Sequence, residues 1–123
     1  MELKFKNALM EYPRYSSRAL TNIPVNFTSE NMTQKGIILN LSVTGVFIYT
    51  SEALNEGDET RLRFSIPGTD RLIEAVGKVS WVKQTPDKRS LDNGMGVEFI
   101  RITRESREHI NSMVKRELDR VTY

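Results

Sequence analysis

The sequence predicts an all-β domain: a six-stranded antiparallel barrel followed by one C-terminal helix. Three observations carry that expectation. About six short segments alternate apolar and polar residues with the period of two that a half-buried strand requires. The links between them are built of turn residues, which favours hairpins and a small barrel with few open edges. Only from Thr103 does the period change to that of an amphipathic helix.

Residues 1–22 read as a lead-in with few apolar residues in any period, residues 23–102 as the barrel and residues 103–121 as the helix, all within one domain. In "IPVNFTS", Ile23, Val25 and Phe27 share one face. "SENMTQKG" carries the polar residues of a hairpin connection. In "KGIILNLS", alternation puts Ile38, Asn40 and Ser42 on one face and Ile37, Leu39 and Leu41 on the other. "VTG" marks a turn before the strand "VFIYT", rich in β-branched and aromatic residues. "SEALNEGD" reads as a turn, or one helical turn, ending at Gly57. "ETRLRFSIP" sets Leu62, Phe64 and Ile66 against Arg61, Arg63 and Ser65. "RLIEAVGKVSWVK" is a long strand in which Gly77 suggests a bulge or a barrel corner. "QTPDKRSLDNG" is long and polar and is expected to be a mobile loop. "MGVEFIRI" is the last strand. Thr103 is then placed to cap a helix whose stripe is Ile110, Met113, Val114, Leu118 and Val121. That stripe packs on its own barrel or on another chain, and for so small a domain the barrel is the expected partner.

Composition narrows the function classes. At 123 residues, 38% hydrophobic and 28% charged, the chain suits one folded, soluble domain. It has no cysteine, which excludes disulfides and thiolate metal sites and fits a reducing cytoplasm. A single histidine rules out a His-rich metal site, and no metal or cofactor is expected. No apolar run approaches the ~18 residues of a membrane span. The opening "MELKFKNALM" lacks the apolar core of a signal peptide. A formal charge of +2 is small for a protein that coats nucleic acid, so no DNA or RNA partner is expected.

Two short stretches carry candidate chemistry. "RYSSR" places Arg14 and Arg18 four residues apart, between Pro13 and Pro24, which argue against a helix there. Arginine offers planar, bidentate donors suited to phosphate oxygens and to the O6/N7 edge of guanine. The plainer reading is a pair of surface charges, bonded to Glu11 or left in water. In "NLSVTG", Asn40 and Ser42 are two apart on a strand and so share a face, where an amide and a hydroxyl can bind a base edge or ribose. Gly45 allows a tight turn and close approach to backbone. The plainer reading is an exposed strand face with a glycine turn. Trp81, the sole tryptophan, either stacks on a base or belongs to the core or barrel rim. His109 reads as a surface residue of the helix. No nucleophile elbow, phosphate loop or acid–base pair emerges, so the chain is not read as an enzyme.

Together, "RYSSR" as R-x-x-x-R and "NLSVTG" as [D/N]-x-S-x-x-G, in that order and one strand apart, resemble the PilZ domain, the bacterial receptor module for cyclic di-GMP. "RALTNIPVNF", "VGKVSWV" and "NGMGVEFIRITRESREHI" are similar to that family's first strand, long strand and close, so the resemblance covers roughly residues 11 to 115. It implies a PilZ-like split barrel with a flanking helix. It also implies that Arg14 and Arg18 bind the guanines and phosphates of cyclic di-GMP, that Asn40 and Ser42 hydrogen-bond a guanine, and that Gly45 shapes the turn. The N-terminal arm would then fold over the ligand and relay its presence to an unidentified effector protein, in the control of motility or exopolysaccharide. Two departures stand out. Pro13 occupies a place where many members carry a further basic residue, implying weaker binding or one bound nucleotide rather than an intercalated pair. Asn40 replaces the commoner aspartate. The remaining alternatives are a PilZ-like protein–protein module without nucleotide binding and a small barrel binding single-stranded nucleic acid. A monomer or weak dimer is expected.

Overall fold

In a computed structural model that describes residues 18–120, the alternating segments form six antiparallel strands and one helix. The strands are β1 (Ala19–Ser29), β2 (Met32–Leu41), β3 (Gly45–Tyr49), β4 (Glu59–Ser65), β5 (Leu72–Lys83) and β6 (Gly94–Ile102). Helix α1 spans Arg104–Arg120. The strands close into a barrel in the order β1-β2-β3-β6-β5-β4. The expected fold class is therefore the observed one.

Alternation decides which side chains fill the barrel. Ile23, Val25 and Phe27 of β1, Leu62 and Phe64 of β4, Ile73, Ala75 and Val79 of β5, and Met95, Val97 and Phe99 of β6 are all buried. Burying a side chain of this size is worth about 1.5–3 kcal/mol. Arg61, Arg63 and Ser65 point outward from β4, as their spacing predicts. Pro24 is tolerated in β1 because it falls where β1 pairs with β2 alone; its pairing with β4 starts at Asn26.

Departures from strict alternation are bulges. Between β2 and β3 the register shifts between Ile38 and Asn40, so Leu39 is the extra residue. One extra residue reverses the phase of everything after it. Ile38 and Leu41 are both fully buried, whereas Asn40, expected on the face of Ile38, is only half-buried. The β5–β6 register shifts at Val76/Gly77, where the extra residue is Ile100 of β6 rather than a residue of β5, and again between Val79 and Trp81. The second shift makes Ser80 the extra residue. Trp81 would otherwise follow Ile73, Ala75 and Val79 inward; it is instead 47% exposed.

Two connections differ from expectation. The β1–β2 link is two residues, Glu30 and Asn31, and "MTQKG", expected within the connection, belongs to β2. Glu30 takes φ 56°, the sense of twist that a two-residue hairpin needs. The β5–β6 link, expected to be a mobile loop, is organised around Asn93. Its buried side chain accepts from the Thr85 N–H (2.6 Å) and donates to the Asp87 carbonyl (3.0 Å). "SEALNEGD" is a turn rather than a helical turn, closed by the Asp58 N–H on the Asn55 carbonyl.

Thr103 caps α1: its Oγ1 accepts the Ser106 N–H at 3.0 Å. Ile110, Met113 and Val114 are buried within the barrel's own core cluster, and Leu118 packs against it. Val121, the last residue of the expected stripe, lies outside the described residues. Among the described residues, no helix is long and apolar enough to cross a membrane.

Candidate functional site

The β2–β3 turn is built by a serine. Ser42 is fully buried, and its Oγ accepts the N–H groups of Thr44 (3.1 Å) and Gly45 (3.3 Å) while sharing a hydrogen bond with Thr44 Oγ1 (2.9 Å). The Ser42 N–H closes the turn on the Gly45 carbonyl at 2.9 Å. A hydroxyl that bonds to backbone two and three residues on is a common turn device. Gly45 follows, where β3 approaches β6 so closely that a Cβ would collide with the Val97 carbonyl. The turn is thereby pinned against β6, and the Phe99 N–H adds a bond to the Thr44 carbonyl at 2.9 Å.

Against this turn lies Arg18. Its Nη1 donates to Asn40 Oδ1 at 2.7 Å and, more weakly, to the Gly45 carbonyl at 3.5 Å. The bulge at Leu39 brings Asn40 into reach by turning it out of the core. Partial burial lowers the Arg18 pKa below the usual arginine value, though a guanidinium stays charged at neutral pH. Its Nη1 is thus engaged by protein acceptors, and the planar fork is held in one orientation. Holding it so before a ligand arrives reduces the side-chain entropy lost on binding.

A cleft of about 470 Å³ opens beside this arginine, lined by Arg18, Asn40, Gly45, Phe47, Trp81 and Glu98 among others. Its lining is partly aromatic. The Trp81 indole stacks on Phe47, with ring centroids 5.4 Å apart and planes 11° apart. It lies so close over Gly96 that a Cβ there would clash with the ring. Phe47 is 8% exposed beneath it. A cation and a hydrogen-bonding amide thus line the same cleft of small-ligand size as a half-exposed indole. Such a site suits a planar, polar, anionic ligand.

Of the residues singled out in the sequence, Arg18, Asn40 and Gly45 come together at this cleft. Ser42 does not line it; its hydroxyl is spent inside the turn. Arg14 lies outside the described residues. Phe47 and Gly96 were not singled out. The available signal for Phe47 was an aromatic in phase opposite to Val46 and Ile48, hence outward on β3. Gly96, in "GMG", offered a small residue beneath a neighbouring ring. Among the described residues, no cluster of His, Cys, Asp and Glu could hold a metal ion.

The comparisons with known proteins bear on the family and the fold. The family described as PilZ domain matches residues 11–116. No curated protein matches the chain. Solved structures share the fold, three of them as follows. The inhibitor of motility (MotI/DgrA) of Bacillus subtilis superposes with a TM-score of 0.75 at 18% identity, over 90% of this chain and 58% of that one. The PilZ domain of YcgR from Escherichia coli, solved with c-di-GMP, gives 0.64 at 11% identity over 84% and 89%. PlzA of Borreliella burgdorferi, in complex with c-di-GMP, gives 0.59 at 16% identity over 90% and 45%. The chain therefore spans little more than half of the first of these proteins and less than half of the third. At such identities the likeness is one of fold.

Proposed function

This chain belongs to the PilZ domain family, and from that premise we propose that it is a non-catalytic receptor for cyclic di-GMP. The observation that carries the reading is the pre-set Arg18 guanidinium, held by Asn40 Oδ1 at 2.7 Å and lining one cleft with the stacked Trp81 and Phe47. Cyclic di-GMP presents two guanines and two phosphates. Arg18 contributes a charge-assisted contact to a phosphate or to the O6/N7 edge of guanine. Trp81 supplies a face on which a base stacks, a contact worth about 1–3 kcal/mol. Asn40 offers its amide to the base edge. Ser42 acts one step back, by fixing the turn that carries Gly45 and Thr44 to the cleft.

In this reading the segment before Arg18 is the responsive arm, β1–β6 are the binding barrel, which starts at Ala19 rather than at Ile23, and α1 is the helix that backs it. Arg14, four residues before Arg18, closes over the bound nucleotide. The ordering of that arm is the signal passed to a partner protein, since a ligand shifts a conformational equilibrium only through contacts that differ between the two states. The c-di-GMP named in the YcgR and PlzA structures supports the choice of ligand.

The test is isothermal titration with cyclic di-GMP, GTP and the linear dinucleotide, on the parent chain and on an Arg14→Ala/Arg18→Ala double variant. The expected outcome is selective binding of the cyclic compound at micromolar concentration or below, lost in the variant. Absence of heat and of thermal stabilisation at high ligand concentration favours the alternative, a PilZ-like interaction module that recognises protein alone.

A further inference from the structure

The outer face of β4, β5 and β6 carries three rows of side chains, set by the strand register. In one row Arg63 stands opposite Glu74 and pairs with it at 3.0 Å. In another Lys78 stands between Glu59 and Glu98. The row between these two reads Thr28, Arg61, Val76, Arg101 across β1, β4, β5 and β6. It holds two like charges and no acid. Among the described residues, neither Arg61 nor Arg101 makes an ion pair. Both are exposed, and Val76 between them is half-buried.

The surface is concave on both sides of this row. A cleft of about 510 Å³ adjoins it toward Arg63 and Ile102, and a smaller one of about 130 Å³ adjoins it toward Glu59 and Thr60. Thr28, Arg61, Val76 and Arg101 line both. Val76 and Ile102, both half-buried, give the larger cleft its apolar part, and Arg63 and Glu74 line its edge. None of these residues belongs to the cleft beside Arg18. The two sites lie toward opposite ends of the β5–β6 ribbon, one at Trp81 and Gly96, the other at Val76 and Arg101.

We propose that this face docks an acidic, partly apolar segment of a partner protein, gripped by Arg61 and Arg101 on either side of Val76. Two strand spacings put the guanidiniums' anchor points about 10 Å apart. Two carboxylates seven residues apart on a helix have about that separation, on one side, with apolar positions between them. A nucleic-acid strand fits less well. Its continuous phosphates would run past Glu74 on one side and Glu59 and Glu98 on the other, each only two or three residues along a strand from the arginine row. Basic segments are disfavoured by the two arginines themselves, while the acidic borders limit the match to a segment whose acidic residues fall only at the row. The proposal stands independently of the nucleotide reading.

The probe is a synthetic helical peptide with two glutamates seven residues apart and leucines between them, titrated into the isotope-labelled chain by NMR. Its counterpart with lysines for the glutamates and a single-stranded 12-base DNA serve as controls. The acidic peptide is expected to shift the amides of Thr28, Arg61, Val76 and Arg101. Its affinity should fall at least tenfold in an Arg61→Glu/Arg101→Glu variant. An Arg61→Lys/Arg101→Lys variant, which keeps charge and fold, should retain most of it. Both variants should keep the parent's dispersed amide spectrum away from this face and its urea midpoint, which shows that they fold. The proposal is overturned if the acidic peptide shifts nothing on this face, if charge reversal leaves its affinity unchanged, or if the lysine peptide or the DNA binds there as well or better.

Discussion

At the scale of the residue, Arg18 and Ser42 divide the labour of the site. Arg18 is aimed by Asn40 and Gly45, and its guanidinium lines the cleft. A hydrogen bond from a charged donor contributes about 1.5–3 kcal/mol. Arg18→Ala is therefore expected to weaken cyclic di-GMP binding by roughly tenfold to a hundredfold in calorimetry. Arg18→Lys should recover little, because an ammonium cannot donate in two parallel directions while also holding Asn40. Ser42→Ala has a different signature. It strips the acceptor from the Thr44 and Gly45 N–H groups in a buried turn, which costs about 1–3 kcal/mol of stability. Its urea midpoint should fall clearly. If Ser42 instead bonds the ligand directly, affinity falls with stability unchanged.

At the scale of the element, the strands of this chain are legible in its sequence and its bulges are not. The β4 pattern of Leu62, Phe64 and Ile66 against Arg61, Arg63 and Ser65 has one physical solution, and the structure adopts it. The helix is equally plain, from the Thr103 cap to the stripe through Leu118. Removing that cap by Thr103→Ala should cost about 1 kcal/mol in thermal or urea unfolding. Bulges at Leu39 and Ser80 escape such reading because neither residue differs in kind from an ordinary strand residue. Yet each reverses the phase of the residues after it, and together they turn Asn40 and Trp81 toward the cleft. Gly77 could be anticipated as an irregular position because glycine in a strand interior signals one. The hairpin at Glu30 was hidden for the opposite reason. Its positive φ sits on a residue type that gives no turn signal, whereas Gly36, which gives one, lies within β2. The arginine and asparagine of the site were visible through their motifs. The aromatic wall depended on pairing between distant strands, which one sequence does not display.

At the scale of the whole molecule, the closed barrel leaves little edge to exchange with other chains and commits its interior to packing. Recognition is left to the outer surface. The Arg18–Trp81 cleft spans β2, β3, β5 and β6, and the unpaired arginine row crosses β4, β5 and β6. Both sites are anchored on β5 and β6, so a single ribbon carries the nucleotide reading at one end and the protein-docking reading at the other. Trp81 is the only tryptophan in the chain and lines the cleft proposed for the nucleotide, so the protein carries its own reporter.

The most direct measurement is therefore a titration of intrinsic Trp81 fluorescence with cyclic di-GMP, for the parent chain and for Arg18→Ala. A guanine stacked on the exposed indole changes its emission. A saturable change is expected in the parent, no such change with GTP, and a curve displaced at least tenfold in the variant. Fluorescence that stays constant while calorimetry records tight binding would place the ligand elsewhere on the barrel and contradict the assignment of this cleft.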